Sequence, residues 1–180
     1  MASFIHCVVL LVPLVTVYAT SMLVGGIQGD AGAGVVARPP AWAFGVVWPV
    51  LCLALGSSWV MSALCGIDHL DMFTFTATCT EQARREWVDI PYGALVSLLC
   101  FWMVVYTNGP GTGQDRKRYS LWVLVVTLAC LLAVFAVALG RSVIGGVLLA
   151  PLISWIVFAT MLSVVELQIG AGENQLQLNL

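Results

Sequence analysis

The side chains with the most capacity for recognition chemistry in this sequence are its 7 tryptophans. Trp42 and Trp48 fall close together in ARPPAWAFGVVWPVLCLALG (residues 37–56), behind a pair of prolines. An indole offers a wide apolar face and a single N–H donor, which suits it to stacking on a flat ligand and not to carrying protons. Trp48 precedes Pro49, and Trp155 follows Pro151 by one turn. A proline within a helix frees a backbone carbonyl and bends the axis. A large aromatic at a bend lines a concavity, so Trp48 and Trp155 are the leading candidates for the wall of a binding site. Trp42, Phe44, Trp59, Trp87, Trp102 and Trp122 are expected in the interfacial belt, where aromatic rings settle at headgroup depth.

Acid–base, metal and phosphate chemistry find little material. His6 and His69 are far apart, and neither CxxC nor HExxH occurs. The glycines of TNGPGTGQDRKRYS lack the GK[ST] ending of a phosphate loop. Proton relays and pumps place Asp, Glu or His inside the membrane, and the expected spans contain no acid. No catalytic residue, metal ligand or obligatory cofactor is therefore assigned, and enzymatic activity is the lesser expectation.

The elements that must position the indoles follow from composition. Of 180 residues, 61% are hydrophobic and 9% charged, with a mean hydropathy of +1.00, whereas a soluble domain is about 25% charged. The chain reads as an integral, multi-pass membrane protein whose first partner is the lipid bilayer. A net charge of −2 supplies no basic field for nucleic acid. A hydrocarbon core about 30 Å thick takes about 20 apolar residues per helix. Stretches free of Asp, Glu, Lys and Arg at 3–24, 42–66, 90–106, 120–139 and 142–165 come close to that length, the third being the shortest. They predict an all-α bundle of five transmembrane helices in a single domain. The first stretch lacks the basic flank of a signal peptide and is kept as a span.

Residues 67–89 are expected as an extended loop or small cap with Asp68, Asp71, Glu81, Glu86 and Asp89, and 166–180 as a polar tail. Cys65 and Cys79 flank this loop and either pair as a disulfide on an oxidising face or remain free thiols. Cys7, Cys52, Cys100 and Cys130 lie in spans, where cysteine acts as a small hydrophobe. The run of Arg116, Lys117 and Arg118 beside the fourth span favours a cytosolic C-terminus, with loops one and three on the same side. Small residues recur at helical spacing as Ala54, Ser58 and Ser62, as Gly93 and Ser97, and as Ala129 and Ala133. Such faces pack helices within a bundle or join two copies into a homodimer.

Three blocks carry a family resemblance: LVP in the first span, RPPAWAFGVVWPVLCLALG in the second and LLAPLISWIVFATMLS in the fifth. They resemble the translocator protein family (TspO and the peripheral benzodiazepine receptor relatives). Its pattern runs P-P-x-W-x-x-x-x-x-W-x-x-L-Y-x-x-x-G and later L-L-x-P-Y-x-x-W-x-x-F-A-x-x-L-N. The resemblance implies a five-helix bundle that holds tetrapyrroles such as protoporphyrin, sterols and benzodiazepine-type drugs in a pocket open toward loop one. Carried over position by position, the pocket is lined by Ser21 and Val24 from helix one and by Phe44, Gly45, Val47 and Trp48 from helix two. Trp155, Phe158, Ala159 and Leu162 match its helix-five wall, and Trp122 a tryptophan opening helix four. Family members occupy the mitochondrial outer membrane and other cellular membranes.

The departures are specific. Leu98, Leu99, Cys100, Phe101, Trp102 and Met103 stand where the family's helix three reads N-W-x-W-P-P, and the usual helix-four Asp is missing. Leu152 and Ser163 replace the helix-five Tyr and Asn. SVVELQIGAGENQ has neither the Tyr nor the base of the vertebrate cholesterol motif, although Arg116, Tyr119 and Leu121 make a reversed version of it. The leading expectation is a binding protein for planar apolar ligands, acting in their transport. The rivals are porphyrin breakdown through the ligand and the indoles, and an interaction protein working through the acidic second loop.

Overall fold

Lipid offers no hydrogen bonds to a bare backbone, so each span must satisfy its own amides, and a helix does so within one segment. The structure, a computed structural model, describes residues 2–24, 41–63, 86–110 and 113–178. The described residues form five helices: α1 Ala2–Leu23, α2 Ala41–Ala63, α3 Glu86–Asn108, α4 Gly113–Arg141 and α5 Val143–Leu178. All five are long and apolar enough to cross a membrane. The protein is a helical, multi-pass membrane bundle.

Three boundaries move outward from the expected spans. α3 begins at Glu86, which brings Asp89 into its first turn, where a negative charge complements the helix dipole. α4 begins at Gly113 and takes in the DRKR run, with Asp115 in the first turn and Arg141 in the last. α5 continues through most of the expected tail to Leu178, since no proline interrupts residues 166–178. The last four residues expected in the second loop thus belong to α3, and the rest of it, with the pairing of Cys65 with Cys79, lies outside the described residues.

Neighbour relations among the described residues define a ring. α1 packs on α2 and α3, α5 packs on α2 and α4, and α3 packs on α4. α2 also reaches across to α3 and α4, whereas α3 and α5 have no direct packing. α2 is thus the element that links the two sides.

Two glycine positions show how closely the helices approach. A Cβ on Gly56 would collide with the Leu10 carbonyl of α1, so a backbone crosses where any other residue would put a side chain. Between α4 and α5 only Ser142 is non-helical. Its hydroxyl accepts from the Gly145 N–H at 3.1 Å, an N-cap for α5, and a Cβ on Gly146 would strike the Leu139 side chain. These contacts fold two long helices back on each other through one residue.

The small-residue stripes divide by function. Ser58 and Ser62 are fully buried, and a Cβ on Gly145 of α5 would come within 3.2 Å of Ser62 Oγ. The α2 stripe is therefore consumed inside the bundle. Ser97, Ala129 and Ala133 are exposed and face outward.

Candidate functional site

Trp48, Trp102 and Trp155 come from three helices and converge. Trp48 on α2 stacks with Trp102 on α3, ring centroids 6.4 Å apart at 30°. It meets Trp155 on α5 in a T-shaped pair at 6.5 Å and 78°. Both arrangements are favourable for aromatic quadrupoles. Since α3 and α5 do not pack directly, the Trp48 ring is what joins their two tryptophans.

Helical spacing extends the cluster on either side. Tyr106, one turn beyond Trp102, lies 5.5 Å from it, and Phe158, one turn beyond Trp155, lies 5.9 Å from it, as side chains three or four apart share a face. Trp102 donates its Nε1–H to Ser120 Oγ of α4 at 3.0 Å. Trp48 and Trp102 are each 6% exposed. The Trp48 Nε1 is buried and has no acceptor among the described residues. Buried indole N–H groups ordinarily find one, and leaving a donor unmet costs about 1–3 kcal/mol.

Trp59, at the other end of α2, shows the ordinary outcome. It donates to Asp89 Oδ1 at 2.7 Å and stacks on Tyr92 at 5.5 Å and 14°. The Tyr92 hydroxyl in turn bonds Ser58 Oγ at 2.7 Å and Ser62 Oγ at 2.9 Å. Trp59, Asp89, Tyr92, Ser58 and Ser62 form a satisfied polar core between α2 and α3.

The belt assignment of Trp59 and Trp102 is corrected by their burial: both face into the bundle. The expectation of acid-free spans is corrected as well. Asp89 stands within the apolar segment Val88–Asn108, and Glu166, only 7% exposed, within Val143–Ile169. Val47 and Ala159 are half-buried against the core. Ser21, Val24 and Leu162 are half-buried and Gly45 is exposed. The side chains of Trp42, Phe44 and Trp87 lie outside the described residues.

Trp122 is 69% exposed and does not join the cluster. It is two positions from Ser120, and positions two apart in a helix point to opposite faces. Trp102, Tyr106, Ser120, Asp89 and Tyr92 are the residues that sequence reasoning left out of the sites. The aromatic pair at i, i+4 in α3 was the signal available for two of them.

No family model matches this chain, and no curated protein matches it. What the site can do rests on its geometry. Indole rings from three helices meet, the Trp48 N–H has no acceptor among the described residues, and among those residues no group of His, Cys, Asp and Glu is placed to hold a metal ion. The chemistry these side chains offer is stacking surface and one directional N–H donor.

Proposed function

We propose that this protein is a TspO-like membrane binding protein for a planar apolar ligand of tetrapyrrole, sterol or benzodiazepine-drug type. The ligand docks against the Trp48, Trp102 and Trp155 rings and presents an acceptor to Trp48 Nε1. Passage of the ligand along or across the membrane is the function such binding serves. The observation that carries the reading is the orphaned, buried N–H of Trp48 at the junction of two aromatic contacts. Trp59 and Trp102, by contrast, have protein acceptors. The resemblance of RPPAWAFGVVWPVLCLALG and LLAPLISWIVFATMLS to the translocator protein family supports the same reading and supplies the ligand class.

The test is fluorescence titration of the detergent-solubilised protein with protoporphyrin. Saturable quenching is expected for the wild type and its loss for the Trp48→Ala, Trp155→Ala double variant. Equal saturable quenching of both proteins by the same concentrations, after correction for tryptophan number, would sink the assignment.

A further inference from the structure

α4 is longer than a bilayer core needs. Its 29 residues rise about 43 Å, against about 30 Å of hydrocarbon. The uncharged stretch 120–139 by itself fills the hydrocarbon, which sets the turns before Ser120 at headgroup depth. Those turns carry Arg116, Lys117 and Arg118. Arg116 is turned toward α3: its Nη1 donates to the Thr107 carbonyl at 2.9 Å, and a Cβ on Gly109 would come within 3.1 Å of its Cγ. Lys117 and Arg118 make no ion pair among the described residues, and Asp115, the acid beside them, already has an interaction of its own. Both bases also stand at the positive end of the α4 dipole, where an anion is favourable and a cation is not. Two cations so placed, without a counter-charge, call for an anion from outside the chain.

The helix face below them has the chemistry of a lipid's partner. Arg118, Trp122, Val126 and Ala129 recur at three or four residues and share one side of α4. All four are exposed, Trp122 at 69% and Val126 at 52%, so this side faces out of the bundle. In order of depth it offers a guanidinium, an indole about 6 Å further in, and then a valine and an alanine. Tyr119, also exposed, stands on the same turn as the indole. A phospholipid presents the complementary order of phosphate, ester carbonyls and acyl chain. The Trp122 N–H is a donor at the depth of the esters. Ala129, with no more than a methyl group, leaves a shallow strip beneath the indole in which a chain can lie.

We propose that the outward face of α4 is a docking site for an anionic phospholipid: Lys117 and Arg118 hold the headgroup phosphate, Trp122 lies against the glycerol esters, and an acyl chain runs past Val126 and Ala129. A zwitterionic lipid carries its own cation beside the phosphate, so two bases favour a headgroup with net negative charge. Ser120, which is buried and holds the Trp102 N–H, points to the opposite side of the helix from Arg118 and Trp122. The lipid site is therefore separate from the aromatic cluster and independent of what binds there.

Native mass spectrometry of the full chain, released from micelles that hold phosphatidylglycerol and phosphatidylcholine in equal amounts, reads the preference. The wild type is expected to retain phosphatidylglycerol about fivefold over phosphatidylcholine, the worth of about one base at a membrane surface. The Lys117→Gln, Arg118→Gln double variant is expected to retain both alike, at the wild type's level for phosphatidylcholine, which also reports an intact face. Trp122→Leu is expected to lower retention of both lipids without changing their ratio. Arg141→Gln, at the far end of α4, is expected to keep the wild-type ratio. Equal retention of the two lipids by the wild type overturns the site, and so does a preference that survives the double variant. A preference lost as fully in Arg141→Gln overturns it too, as the mark of unspecific charge attraction. Displacement of phosphatidylglycerol by soluble glycerol phosphate assigns the bases to a free phosphoester, and a lipid-free dimer broken by Ala129→Leu assigns the face to a second copy of this chain; either result overturns the lipid site.

Discussion

Tyr18 of α1 donates its phenolic hydrogen to the backbone carbonyl of Gly45 in α2, 3.3 Å away. That carbonyl is the one Pro49 strands, because proline has no N–H to return to the residue four before it. A neighbouring helix thus satisfies the acceptor that the proline frees, as membrane interiors require. The bond sits one turn from Trp48, so the same proline that shapes the aromatic wall also ties α1 to it.

Replacing Tyr18 by Phe is expected to lower stability in detergent by about 1 kcal/mol. Pro49→Ala supplies the missing N–H and restores the helical bond, so Tyr18→Phe is expected to cost less in that background. A double-mutant cycle of thermal unfolding measures the difference. Additive effects would show that Tyr18 does not serve the carbonyl freed by Pro49.

The Asp89 carboxylate holds the Trp59 N–H, at the opposite end of α2 from the aromatic site. Asp89→Ala is expected to destabilise the bundle by about 1–3 kcal/mol, because a buried donor is left unmet. Asp89→Asn retains a side-chain oxygen and is expected to cost less. Trp59 lies about 16 Å along the helix from Trp48, so protoporphyrin affinity is expected to hold in both variants. Unfolding midpoints and ligand titration on the same preparations check the two halves separately.

Trp102 and Trp122 are predicted to differ sharply although each is one indole near an end of its helix. Trp102→Leu removes the ring stacked on Trp48 and is expected to weaken protoporphyrin binding about tenfold, a change of about 1.4 kcal/mol. Trp122→Leu alters an outward face and is expected to leave affinity within about twofold, since it makes no contact with the cluster. Titration of the two variants reverses this assignment if Trp122 proves the more damaging loss.

The helices were legible from sequence because the signal is collective. A run of about 20 apolar residues without charge has few alternatives to a membrane helix, and small errors at the ends do not change that. The inward and outward faces were not legible. A soluble helix marks its buried side with an apolar stripe, whereas α2, α3 and α4 are apolar nearly all round. Trp59 and Trp102, which are buried, and Trp122, which is exposed, therefore looked alike. Trp48 and Trp155 stood out through their neighbouring prolines, a local cue that survives the loss of amphipathic pattern.

By itself the sequence determined that this is a multi-pass membrane protein with five expected spans, and that ARPPAWAFGVVWPVLCLALG and the segment around Pro151 each set an indole beside a proline within a helix. Those properties depend on residues near one another in the chain, through hydropathy, helical rise and the missing N–H of proline. Only the tertiary structure decided that Trp48 contacts both Trp102 and Trp155, that Asp89 is spent on Trp59, and that Trp48 Nε1 finds no acceptor among the described residues. Each of these depends on which helices pack together, and lipid-soluble helices choose neighbours by close shape and hydrogen bonding and not by a hydrophobic stripe. That choice is made between segments, so no single segment records it.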